Sequence, residues 1–382
     1  MLFTLLACAS PCGDLNCDGR PDLVFAQFHD RPEGGMSSVF LGGPGGLDDP
    51  PLELPTLGSM GAAVGDLDSD GWPDLVFANT SVGEGDRYLD SVVYWNGPGG
   101  LDPEDKSLFP TIGAADVTLA DLNDDGHLEL IFPNRYDGET YLVDSVIYWG
   151  SPQGPDPQDA TLLPTRGASR AAAADLDEDG DVDLVFSEFH FADNESVIYW
   201  NEGGFDPERR TDLPSFLSEG VEILDADQDG WLDVALSSWC AVGACGQTSP
   251  IYLGGPEGFD AERKMEIETL GASDLEAADV DGDGQIDLIS TNGPFESDAV
   301  SQVLFGPDFE DGLQLPTKGG AESAFGDVDL DGQPDLVFAQ FYGPEGASES
   351  AVVYLGSPQG LSDDVFMELP TPGGAAGLAL AR

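Results

Sequence analysis

Basic residues are scarce in this 382-residue chain. Lys and Arg together number 13 against 73 Asp and Glu, a formal charge of −60. Nucleic acid and anionic membrane surfaces repel such a chain, so neither is an expected partner. Histidine is scarcer still, at three residues. The sequence has no G-x-S-x-G elbow, no H-E-x-x-H pair and no phosphate-cradling glycine loop. Two acids could perform glycoside chemistry, but among 73 a chance pair carries no information. No stretch runs to 18 consecutive apolar residues, so no membrane-spanning helix is expected. Helical periodicity is missing over any useful length.

Cysteine is sparse: Cys8, Cys12, Cys17, Cys240 and Cys245. No C-x-x-C pair points to zinc or thiol redox chemistry. Two local disulfides, Cys12 with Cys17 and Cys240 with Cys245, would suit an oxidising compartment and leave Cys8 over; free buried thiols are the other reading. The start, MLFTLLACAS, resembles a bacterial lipobox at Leu5-Leu6-Ala7-Cys8, with Cys8 as the lipidated residue. Only seven residues precede Cys8 and none is basic, which departs from an ordinary signal peptide. The expectation is a segment 1–13 that serves export and links onward. It places the protein outside the cell or at its surface, on a bacterial outer membrane if lipidated. A lipid at Cys8 would be the one membrane link.

What the chain has in abundance is an acidic loop. The pattern D-x-[DN]-x-D-G-x-x-[DE] occurs seven times, with a period near 50 residues. The copies are Asp14, Asn16, Asp18, Asp22; Asp66, Asp68, Asp70, Asp74; and Asp121, Asn123, Asp125, Glu129. Then come Asp175, Asp177, Asp179, Asp183; Asp225, Asp227, Asp229, Asp233; Asp279, Asp281, Asp283, Asp287; and Asp327, Asp329, Asp331, Asp335. Gly holds position 6 in every copy. Oxygens at positions 1, 3, 5 and 9 suit calcium, a hard cation that takes six to eight of them. A backbone carbonyl at position 7 would add another, so side chains as different as Arg20, His127 and Trp231 stand there. A metal-free Asp-Gly turn is the alternative. It is disfavoured, because carboxylates about 4 Å apart repel by roughly 4 kcal/mol per pair at an effective dielectric near 20. About seven calcium ions are expected, held more weakly by the first and third loops, which carry less charge.

Each loop is followed by strand-like runs such as Leu75-Val76-Phe77-Ala78 and Ser91-Val92-Val93-Tyr94-Trp95, a Gly-rich turn, and Leu-Pro-Thr or a relative of it. Three or four short strands per unit of this length mark a propeller blade. The expected fold is all-β: a seven-bladed β-propeller over residues 14–382 with a calcium loop in each blade. The last unit ends where an eighth loop would begin, and the first begins almost at its loop. The C-terminal strand is therefore expected to close the ring by completing blade one, which removes an exposed sheet edge.

These repeats resemble the FG-GAP/VCBS family, whose blades also build the N-terminal propeller of integrin α subunits and some fungal lectins. The resemblance covers residues 14 to 382 and rests on the metal loop. The FG and GAP signatures are reduced to echoes at Gly65-Asp66 and Phe325-Gly326. It implies a propeller, calcium and an adhesive or recognition role, with a glycan or protein ligand. A propeller-type polysaccharide lyase or hydrolase is the alternative; the expectation is that the chain is no enzyme.

The residue 13 after the first loop Asp, called position 13 here, is polar in every unit: Gln27, Asn79, Asn134, Glu188, Ser238, Asn292 and Gln340. Aromatic residues and two histidines follow it. Gln27, Phe28, His29, Tyr136, Phe189, His190, Trp239, Phe341 and Tyr342 are the candidate ligand-binding residues. A polar ring beside aromatic ones suits sugars, by stacking and hydrogen bonds, or a protein partner. The alternative is that these residues cap strand ends and pack between blades.

Overall fold

Strands account for all the regular structure in this computed structural model, which describes residues 13–382 except 30–33, 45, 48–49, 82–85, 191–194, 240–247, 294–299, 311, 344–345, 348–349, 365 and 373. No helix occurs among the described residues. Cys8, Cys12, Cys240 and Cys245 lie outside them, as does the export-like segment apart from Gly13. Cys17 is disulfide-bonded.

Seven four-stranded sheets form the blades of a β-propeller. Blade one comprises Asp22–Gln27, Gly35–Phe40 and Leu52–Thr56, preceded in the sheet by the C-terminal strand Ala375–Ala381. The C-terminal strand thus completes the first blade, as expected from the two chain ends. Blade two is Ser59–Gly65, Asp74–Asn79, Asp90–Tyr94 and Lys106–Pro110; blade three is Thr118–Ala120, Glu129–Phe132, Ser145–Tyr148 and Ala160–Leu163. Blades four to seven begin at Ala168, Val221, Ala272 and Gly320 and repeat the order. The chain divides into two compact units. Blades one to three fall in the first and five to seven in the second, while the residues of blade four are divided between them.

The sequence explains the layering within a blade. Second strands such as Asp74–Asn79 (DLVFAN) are buried along their whole length, so they read as continuous apolar runs. Fourth strands such as Lys106–Pro110 alternate exposed and covered residues, as a half-solvated edge does. In the first unit, Val76, Val93 and Phe109 of blade two pack with Leu130, Phe132 and Tyr148 of blade three.

The Leu-Pro-Thr signature has a separate task for each residue. Its Leu is buried, as at Leu54 and Leu163. Its Pro lacks an N–H, which an edge strand tolerates, and its carbonyl accepts a tyrosine hydroxyl from the next blade. Tyr94 donates to Pro55, Tyr148 to Pro110, Tyr252 to Pro214 and Tyr354 to Pro316. Its Thr hydroxyl pairs with a third-strand serine, as in Ser37 with Thr56, Ser91 with Thr111 and Ser301 with Thr317.

First strands end their sheets and leave backbone groups to be satisfied. In the second unit, acidic side chains from the neighbouring blade accept these N–H groups. Asp274 accepts from Ser323 at 3.1 Å, Glu276 from Phe325 at 2.9 Å, and Glu222 from Ala277. Burial, with Glu276 and Asp274 nearby, pushes the Glu222 carboxyl well above its ordinary range.

Candidate metal centres and the opposite strand ends

In blades two to seven the loop joins the first and second strands, in blade one it leads into Asp22–Gln27, and each loop is wound by its own carboxylates. In blade two, Asp66 accepts the N–H groups of Asp70 at 3.1 Å and Gly71 at 3.0 Å. Asp68 also accepts from Asp70, and Asp70 from Trp72. Two positions take left-handed backbone. One is the position-6 Gly, at φ 95° in Gly71; the other is position 4, at φ 61° in Ser69. Position 4 escaped the sequence reading because a non-glycine residue holds it in six copies. Gly282 in the sixth copy is the signal that could have exposed it.

Position 9 is set apart by burial. Asp22, Asp74, Glu129, Asp183 and Asp233 are fully buried, and Asp287 and Asp335 nearly so. One oxygen of each accepts the N–H of position 2, from Leu122 at 2.6 Å to Leu67 at 3.0 Å. In blades one, two, three, five, six and seven the other accepts an N–H just beyond the third strand, from Gly42, Asn96, Gly150, Gly254, Gly306 and Gly356. This carboxylate therefore ties the loop into the sheet besides facing the other acids.

Five loops bring three carboxylates close enough to share one cation: Asp66, Asp68 and Asp70; Asp175, Asp177 and Asp183; Asp225, Asp227 and Asp229; Asp279, Asp281 and Asp287; and Asp327, Asp329 and Asp335. Within each group the ligand atoms lie within 4.8 Å of one another. The remaining loops, with Asn16 and Asn123 at position 3, are wound in the same way. In blades five and six the Oδ1 atoms of Asp225 and Asp279 are buried and accept no hydrogen bond. A buried carboxylate oxygen without a donor is costly, and a cation removes that cost. The donor set thus fits a hard metal ion, which positions 1, 3, 5 and 9 would hold.

Burial, reinforced by neighbouring carboxylates, pushes Asp22 and Asp233 up to about 6, and Asp74 and Glu129 up to about 7. A carboxyl raised in the folded state favours folding below its unfolded value, near 3.8 to 4.5, and loses that advantage as pH rises through its folded value. With a chelator present, the melting temperature is therefore expected to fall between pH 5 and pH 8. A flat or rising profile over that range would contradict these buried acids.

A family model described as FG-GAP-like repeat matches residues 14–77, 66–132 and 175–236. The chain carries FG-GAP-like repeats. Each matched span contains at least one of the acidic loops just described. Among curated proteins no match is found. Among solved structures, a protein from Lactobacillus plantarum aligns at a TM-score of 0.58 and 10% identity, covering 95% of this chain and 100% of that one. A chain of a nidogen/laminin complex aligns at a TM-score of 0.40 and 12% identity, covering 74% and 89%. The first likeness shows a shared fold and nothing finer.

At the other end of each second strand, the position-13 side chains point inward. All seven are at most 4% exposed. Their backbone N–H groups donate to the third-strand serine, as from Gln27 to Ser37, Asn79 to Ser91 and Asn292 to Ser301. Gln27 Nε2 also donates to Ser38 at 2.7 Å. Gln27 is thus held inside the blade rather than displayed to a ligand. Phe28, His29, Tyr136, His190, Trp239 and Phe341 are half-buried, and Phe189 is buried. Phe189 and Trp239 meet edge to face at 5.2 Å between blades four and five. Tyr136 stacks on Tyr141 at 4.7 Å, with Arg87 over its ring. The side chain of Tyr342 lies outside the described residues.

Proposed function

We propose that this chain is a calcium-stabilised binding module that works outside the cell and recognises a glycan or protein partner. The observation that carries the reading is the repeated carboxylate cluster with its orphaned buried oxygens at Asp225 and Asp279. Calcium is the metal of choice, because irregular all-oxygen shells suit it and magnesium prefers a small octahedral shell rich in water. Extracellular calcium is plentiful enough to fill modest sites, and the Cys17 disulfide supports an oxidising compartment. Export, with a lipid anchor at Cys8, belongs to the same reading. So does a non-catalytic role, which the scarcity of histidine and the absence of catalytic motifs support.

The test is calcium stoichiometry by calorimetry, followed by a glycan array in millimolar calcium with a chelated sample beside it. Binding of about seven ions per chain is expected, one per loop. Calcium-dependent retention of one sugar class would make the protein a lectin, whereas silence from a folded, calcium-loaded protein would direct the search to protein partners. A stoichiometry of one or none would overturn the reading.

A further inference from the structure

Blades two and three differ from the other five on their outer strands. The residue two before the Leu-Pro-Thr proline, or its equivalent, is Glu53, Asp212, Glu266, Gln314 or Glu368 in blades one, four, five, six and seven. In blades two and three it is Leu108 or Leu162, and these leucines are 51% and 57% exposed. Just before the third strand the same two blades present Tyr88 and Leu142, 66% and 64% exposed. Leu162, Leu142 and Tyr88 line a groove of about 660 Å³ within the first compact unit. Leu108 does not line it. Lining one groove, these three exposed apolar side chains offer anchors to a partner.

The polar lining states what kind of partner fits. Each buried side-chain donor in the groove already has an acceptor: Thr111 donates to Leu89 O, Asn134 Nδ2 to Asp144 O and Tyr148 to Pro110 O. What remains for a ligand, besides the Tyr88 hydroxyl, is the carboxylates of Asp90, Asp137 and Asp144. Asp137 is held below its ordinary range by the backbone N–H groups of Thr140 and Glu139, both at 2.7 Å, so it stays anionic. No basic residue is among those that line the groove. A neutral sugar needs donors as well as acceptors and finds almost none. Anionic glycans and a second copy of a chain charged −60 are repelled.

We infer that this groove docks a lysine- or arginine-rich segment of a protein partner, anchored by apolar side chains against Leu142, Leu162 and Tyr88. The inference rests on the reading of the chain as a binding module and names the partner class. The rim carboxylates would steer the segment and the leucines would hold it, which divides association from retention.

The probe is a fluorescein-labelled octapeptide of alternating lysine and leucine, followed by anisotropy at physiological salt in calcium. Leu162→Glu installs the kind of residue four other blades carry at this exposed position, so folding is expected to survive, and melting in calcium checks it. This variant adds negative charge, so purely electrostatic binding would tighten. The expected result is a loss of about tenfold for Leu162→Glu combined with Leu142→Ser, and little change for Leu108→Glu. Asp90→Asn with Asp144→Asn gives a second route and is also expected to weaken binding. Unchanged or tighter binding by the leucine variants, or displacement of the peptide by a neutral oligosaccharide such as maltoheptaose, would overturn the assignment. Partner binding that ignores all these substitutions would sink the groove and leave the binding-module reading standing. A calcium-loaded protein that does not take up the peptide would sink the assignment, while the binding-module reading falls on the calcium stoichiometry instead.

Discussion

Removal of calcium is expected to lower the melting temperature by between ~12 and ~24 °C at neutral pH. A site saturated about tenfold above its dissociation constant adds roughly 1.4 kcal/mol, and one saturated a hundredfold adds roughly 2.7 kcal/mol. Seven sites then contribute roughly 10 to 19 kcal/mol, which matches or exceeds the stability of an ordinary domain. An unfolding entropy near 2.1 cal/mol/K per residue over 382 residues converts each kcal/mol into about 1.2 °C if the chain melts as one.

The electrostatics point the same way. Chelation returns the closely spaced carboxylates of five loops to mutual repulsion in a chain already at −60. Calorimetric scans in millimolar calcium, in excess magnesium and in chelator check this. The calcium sample should melt highest, with magnesium short of it because the oxygen shell suits the larger ion. Coincident transitions in calcium and chelator would mean that the loops are turns that need no metal.

The loops were legible in the sequence because ligand chemistry dictates residue type at fixed spacing. Asp66, Asp68, Asp70 and Asp74 sit within one hairpin, and the same acids recur at the same spacing in seven copies. The closure of blade one by Ala375–Ala381 was legible for a similar reason, since it follows from where the repeat starts and stops. The direction of the position-13 side chains was not. Gln27, Asn79 and Asn292 are residue types found mostly at surfaces, and their burial depends on serines and threonines up to about 30 positions away. Ser37 and Thr56 look unremarkable until the sheet sets them beside Gln27. Leu162 failed to stand out for the converse reason. A leucine in a strand reads as core, and only its exposure, set against Glu53 and Glu368 at the same repeat position, shows that it faces solvent.

Within a single loop, Asp74→Ala is expected to cost far more than Asp68→Ala, and to do so with or without calcium. Asp74 is fully buried and accepts the N–H groups of Leu67 at 3.0 Å and Asn96 at 2.9 Å. Removing it orphans two buried donors, each worth about 1 to 3 kcal/mol, and opens a cavity where the side chain stood. It also frees Asn96, whose amide ties Leu15 of the first loop to Pro73. A loss of ~3 to 5 kcal/mol is expected in both conditions. Asp68 accepts one exposed N–H, from Asp70, and burial together with the Asp70 and Asp66 carboxylates pushes its own carboxyl up. Its removal in chelator relieves that repulsion, so Asp68→Ala should match or exceed the wild type there. In calcium the same variant forfeits one site, about 1.4 kcal/mol at tenfold saturation. Urea unfolding of both variants in calcium and in chelator separates the two roles. If Asp74→Ala were harmless in chelator, position 9 would be a metal ligand only, and the two backbone hydrogen bonds it accepts would not be what joins loop to sheet.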